Sequence, residues 1–200
     1  MATRLTVLLR TIALVFALCL PACAQAPSWG CKETELPNRA SPAEALAYLK
    51  GNRPNLTSDC VVKAIRILGT AHYEPAIDTL IHYLDFKVPH STGRPMVLLG
   101  GLTRGLYPAA DALERTNNVL PAVKRVLTDN AFPTQSRVNA AKILGDLEHN
   151  KPQAIRFIVY AAHGANDLGA EDALLKEAKA IVPFCSDVEK PKCQEALDDQ

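Results

Sequence analysis

Aromatic side chains are scarce in this chain, with one Trp, five Tyr and five Phe among 200 residues. Rings so few and so scattered offer no platform on which nucleotide bases could stack. Charge of one sign is missing too: 22 Lys and Arg stand against 21 Asp and Glu, leaving +1. That balance gives no electrostatic ground for a nucleic-acid partner. Strand-type alternation of apolar and polar residues is absent over any useful length, which argues against a sheet. Past the N-terminal residues, no uncharged apolar run nears the roughly 20 residues that a membrane-spanning helix needs.

Signatures of chemistry are lacking as well. There is no H-E-x-x-H or H-x-H cluster for a metal, no G-x-S-x-G elbow for a serine nucleophile, and no C-x-x-C for redox work. Gly100, Gly101 and Gly105 lack the lysine of a phosphate-cradling loop. Asp167, Glu171 and Asp172 gather around Gly169, where acids at a helix start complement the exposed amides. No motif asks for a cofactor or a metal.

What is present begins with an export pattern. Arg4 and Arg10 flank an apolar stretch that continues from Thr11 to Leu20, and small residues follow at Ala22, Cys23, Ala24 and Ala26. This reads as a signal peptide over 1–24, with its end between 22 and 26. Leu20-Pro21-Ala22-Cys23 resembles a bacterial lipobox, with Pro21 departing from the usual residue, so Cys23 is a candidate lipidation site. The expected location is secreted or periplasmic, with a membrane-anchored lipoprotein as the alternative. Without Arg4 and Arg10 the formal charge of +1 falls by two, to -1.

Cysteine usage fits an oxidising compartment. Beyond the leader, Cys31, Cys60, Cys185 and Cys193 remain, and three pairings are formally open. Nearness in sequence favours Cys31 with Cys60 and Cys185 with Cys193. Loop closure would then contribute roughly 3.6 and roughly 2.6 kcal/mol.

Helical periodicity is clear after residue 42. Val61, Ala64, Ile65 and Leu68 lie at i, i+3, i+4 and i+7, as do Ile77, Leu80, Ile81 and Leu84, and again Ile155, Ile158, Val159 and Ala162. Each set draws an apolar stripe along a helix. Ser41-Pro42-Ala43-Glu44 and Asn150-Lys151-Pro152-Gln153 are helix-start signals near 42 and 151.

Two stretches superpose. Cys60 to Leu84 and Arg137 to Ala161 both run from an apolar helix through Leu-Gly and a polar turn to Pro, then Ala-Ile and a second apolar helix. Their Leu-Gly steps, at 68–69 and 144–145, lie 76 residues apart, twice about 38 and near the spacing of HEAT units. The arrangement resembles the HEAT-like repeats of bacterial proteins. Ala64, Leu68, Gly69, Pro75, Ala76, Leu80 and Leu84 occupy the family's positions in one copy; Leu144, Gly145, Pro152, Ala154 and Ile158 do so in the other.

The resemblance implies an all-α fold, a short right-handed solenoid of antiparallel helix pairs with atypical caps. The glycines would let paired helices turn back closely, and the prolines would fix the first turn of the second helix. The expected layout is an N-terminal cap over 27–57, extended at first and helical near 42–50, then repeats over 58–165. Within them 86–106 is irregular, because Gly93, Gly100, Gly101 and Gly105 interrupt it. A middle pair follows Tyr107-Pro108 with Val119, Val123 and Val126. A C-terminal cap helix and tail fill 166–200, loosely held from Glu189 onward.

Candidate protein-binding residues follow from that layout. Successive turns of a repeat array project along one edge, which here would carry His72, Tyr73, Glu74, His149, Asn150 and Lys151, with Arg66 and Lys142 on adjacent helices. His82, His90 and His163 read as surface or helix-end residues. A non-catalytic extracytoplasmic interaction scaffold with a protein partner is the leading expectation. The rivals are a lipid-anchored envelope protein and an enzyme using His72, His149 and Glu148 in a groove. Intact-mass measurement of the exported protein should show loss of 22 to 26 residues; a diacylglycerol adduct on Cys23 would instead establish the anchored form.

Overall fold

The computed structural model describes residues 30–51, 57–88 and 106–198. The export segment with Cys23, the glycine-interrupted stretch 89–105 and His90 lie outside the described residues. Among those described, every regular element is helical.

Among the described residues nine α-helices form in chain order: α1 (Pro42–Lys50), α2 (Ser58–Thr70), α3 (Ile77–Leu80), α4 (Pro108–Glu114), α5 (Leu120–Thr128), α6 (Thr134–Leu147), α7 (Lys151–His163), α8 (Leu168–Ile181) and α9 (Lys190–Asp198). Short 3-10 turns at Glu74–Ala76 and Ile81–Tyr83 extend α3 on both sides. Local chemistry sets several starts. Ser41 and Glu44 form a reciprocal capping box on α1, Asn150 Oδ1 accepts from Gln153 N at α7, and Asp167 accepts from Gly169 N and Ala170 N at α8. Each satisfies amides that the first turn leaves without helical partners.

The helices pack as two rows. α2, α4, α6 and α8 contact one another in that order, and α1, the 77–83 run, α5, α7 and α9 do the same beside them. Chain order alternates between rows, so each short turn crosses from one to the other. The apolar stripes face inward: Val61, Ala64, Ile65, Leu68, Leu80, Ile81, Leu84, Ile155, Ile158, Val159 and Ala162 are all buried. Ile77 is only partly so. With aromatics rare, the core is aliphatic, and Tyr83 is the only buried aromatic among the described residues. Its hydroxyl donates to Leu49 O at 3.0 Å, tying the end of the 77–83 run to the end of α1.

The two Leu-Gly steps have a different role from the one their turn-side position suggests. Gly69 and Gly145 lie inside the last turns of α2 and α6, and each faces the next helix of its own row. A Cβ on Gly69 would fall 2.8 Å from both Cα and Cβ of Ala112 on α4; one on Gly145 would fall 2.7 Å from Ile181 Cδ1 on α8. Glycine here permits helix-to-helix approach within a row, against backbone at Gly69 and against a side-chain end at Gly145.

Arg137, in the first turn of α6, is 3% exposed. Its guanidinium donates to Leu127 O at 2.9 Å, Asn130 Oδ1 at 2.8 Å and Ala161 O at 2.9 Å. The carbonyls belong to the last turns of α5 and α7, whose dipoles present negative charge there. Burial lowers the Arg137 pKa below its ordinary value, while the charge of Asp129 acts the other way. One buried side chain thus fastens the ends of two neighbouring helices in the second row. Asn139, also buried, donates to Leu84 O at 2.7 Å and ties α6 to the end of the 77–83 run.

Both ends are stapled. Disulfides join Cys31 to Cys60, with Cα atoms 4.7 Å apart, and Cys185 to Cys193, with Cα atoms 6.8 Å apart. The N-terminal segment is not extended. It folds through turns at 32–36, buries Leu36, and is held by Lys63 Nζ donating to Leu36 O at 2.7 Å. Residues 190–198 are not a loose tail either: they form α9, which buries Cys193 and Ala196 and packs along α7.

Four substitutions test these contacts through stability. Gly69→Ala should destabilise by about 1–3 kcal/mol in urea unfolding, because backbone of α4 blocks the new methyl. Gly145→Ala should be nearly neutral, since the end of Ile181 can swing and helix propensity improves by up to about 1 kcal/mol. Arg137→Met should cost about 2–4 kcal/mol by stranding buried carbonyls, and Arg137→Lys, which lacks the planar fork, should recover only part of it.

Candidate functional site

The turn between α2 and the 3-10 turn at Glu74 closes as a Schellman motif. His72 N donates to Gly69 O at 3.3 Å and Tyr73 N to Leu68 O at 3.1 Å. That geometry needs a left-handed residue after the helix, and His72 supplies it with φ 49°. A non-glycine residue there carries a conformational cost, set against a bond from its Nδ1 to Arg115 O. Next to it Asn118, also left-handed at φ 59°, donates to Glu74 Oε2 at 3.1 Å. The two turns lock to one another, and Tyr73 packs half-buried against the core.

The turn between α6 and α7 is used differently. Lys151 Nζ donates to Gly145 O at 2.7 Å and Glu148 O at 2.9 Å, capping the C-terminal carbonyls of α6. Asn150 caps α7, and Glu148 pairs with Lys124 at 3.8 Å, whose ammonium also lies 5.5 Å from the Phe157 ring centroid. His149 is left exposed. Of the two helix-borne candidates, Lys142 pairs with Glu177 of α8 at 3.8 Å, and Arg66 lies exposed on α2.

The candidate residues therefore separate. His72 and Glu74 bond across to 115–118, Asn150 and Lys151 serve the helix ends on either side of them, and His149 faces solvent. His72, His149 and Glu148 each have different surroundings. Among the described residues, no group of three or more His, Cys, Asp and Glu side chains is placed to hold a metal ion.

Two clefts lie between successive helices of the second row. One, of about 780 Å³, opens where α7 begins beside α9 and is lined by His149, Gln153, Arg156, Glu189 and Lys192. The other, of about 620 Å³, runs between the 77–83 helical run and α5 and is lined by Asp78, His82, Asp85, Arg125, Asp129 and Phe132, among others. Sequence reasoning missed the second cleft. Asp78, His82 and Asp85 at i, i+4 and i+7 do mark a polar face opposite the apolar stripe, but that pattern alone reads as solvent-facing surface.

At the rim of the first cleft, Glu189 Oε2 accepts from Ser186 Oγ at 2.6 Å and from Ser186 N at 3.3 Å. These bonds hold its carboxyl below the ordinary value of 4.5, with nearby Lys151 and Lys192 acting in the same direction. A depressed carboxylate contributes stability that is present above the unfolded pKa and lost as pH falls through the folded one. Thermal melts of the native chain and Glu189→Gln should therefore differ at neutral pH and converge as pH falls below about 4.5.

Among the described residues no helix is long and apolar enough to cross a membrane. No family model matches the chain, and neither does any curated protein or solved structure.

Proposed function

We propose that this protein is a non-catalytic, extracytoplasmic interaction scaffold built on HEAT-like repeats. The observation that carries the reading is the pair of open clefts between successive helices of one row, 77–83 with α5 and α7 with α9. Stacked helix pairs expose such a ribbed face, and repeat folds use it to grip partners over several units. The matching glycine contacts of the two copies, Gly69 on Ala112 and Gly145 on Ile181, support a repeat origin. Two disulfides support an oxidising compartment. Attachment through a lipid on Cys23 would place the same scaffold at a membrane surface, and it is the alternative to plain secretion because Pro21 departs from the lipobox pattern.

The binding edge is narrower than the full set of turn residues. His72, Glu74, Asn150 and Lys151 hold the fold together, so the contact surface shifts to His149, Gln153, Arg156 and Lys192. Cross-linking capture from an envelope fraction should recover a defined partner with the native chain and lose it with a His149→Ala, Arg156→Glu double variant. An identical recovered set from both proteins would remove this edge from the reading, and no reproducible partner from the native chain would remove the reading itself.

A further inference from the structure

We infer that the cleft between the 77–83 helical run and α5 receives an arginine side chain from an extended segment of a protein partner. This rests on the interaction-scaffold reading and names the chemistry that the scaffold would grip. The floor is apolar, formed by Ile81, Ala131, Phe132 and Pro133. The His82 ring lies on that of Phe132, with centroids 5.6 Å apart and planes 23° from parallel. Three carboxylates stand around this floor, against one guanidinium.

These carboxylates are not equally engaged. Asp78 Oδ1 already pairs with Arg125 Nη2 at 2.7 Å. Asp129 uses Oδ1 to accept from Ala131 N at 2.9 Å, and its charge also acts on the buried Arg137. Asp85 has no hydrogen-bond or ion-pair partner among the described residues. The cleft therefore combines apolar and aromatic lining with a carboxylate, Asp85, that has no partner of its own, and a second, Asp129, just past the end of α5.

A purely apolar ligand would leave Asp85 facing it without compensation, and a compact inorganic cation would leave the ring surface unused. An amphipathic cation satisfies both, laying an aliphatic stem on the floor and its charged head against the carboxylates. Arginine fits better than lysine: its planar guanidinium stacks on aromatic faces and can offer two parallel donors to a carboxylate. The Arg125–Asp78 pair at the same cleft shows a guanidinium already held by one of these aspartates.

The test uses the full mature chain and fluorescein-labelled peptides in a glycine-serine frame carrying two arginines, two lysines or two citrullines. Citrulline keeps the shape of arginine and removes its charge. Fluorescence anisotropy should rank arginine above lysine, with citrulline unbound, and the isosteric Asp85→Asn, Asp129→Asn double variant should bind the arginine peptide about tenfold more weakly or worse. Phe132→Leu should narrow the gap between arginine and lysine. Circular dichroism and thermal melts establish that both variants are folded, and Lys176→Gln, exposed on α8 and outside both clefts, should bind as the native chain does. Equal binding of citrulline, or undiminished binding by the aspartate variant, overturns the inference. Partner capture that survives the aspartate variant while no arginine peptide binds overturns it and leaves the scaffold reading standing; arginine-selective binding without any captured partner supports the cleft chemistry and removes the scaffold.

Discussion

Close approach between helices of one row is the constraint on which the arrangement depends. α2 and α4 touch where Gly69 meets Ala112, and α6 and α8 touch where Gly145 meets Ile181. At Gly69 two small residues bring backbones together where larger side chains would hold them apart, whereas at Gly145 the glycine makes room for the end of the Ile181 side chain. Between the middle helices of the other row contact is sparser, and the cleft between the 77–83 run and α5 opens there, while the second cleft lies where α7 begins beside α9. Tight packing in one row and looser packing in the other are two aspects of one geometry, and the candidate binding face is the looser side.

Where the second row is not held by interdigitating side chains, it is held by polar ones. Arg137 reaches the last turns of α5 and α7, Asn139 reaches Leu84, and Tyr83 reaches Leu49. Each satisfies a backbone carbonyl at or near a helix end, where helical partners run out. Buried polar groups that are fully bonded in this way fix one mutual placement of helices in a manner that aliphatic contact alone does not.

Much of the fold was legible in the sequence because its signals are local. The capping box at Ser41 and Glu44, the cap at Asn150, the apolar stripes and the pairing of cysteines by nearness all depend on residues close along the chain. A stripe reports which face of a helix is buried, however, and not what covers it. That is why Gly69 and Gly145 read as turn residues, although their partners lie 43 and 36 residues away, and why nothing marked Arg137 as a clamp. Lys151 and His72 looked like exposed turn residues, and only their distance to carbonyls of neighbouring turns and helices shows them to be fasteners. The cleft with Asp78, His82 and Asp85 was half legible: the polar face could be read, but the helix opposite it could not. For the residues after Glu189, charge and proline pointed to looseness, whereas the bond at Cys193 and burial of Ala196 supply the order.

The disulfides act at the two places where a stack of helices is weakest. In a linear array an inner helix is braced from both sides and an outer one from a single side, so separation starts at the extremities. Here the first segment is bonded to α2 and the last helix to the end of α8. The stack is closed like a bound book, its covers sewn to the outermost pages. In an oxidising medium its opening would have to begin from within, and transfer to a reducing one would free both covers at once.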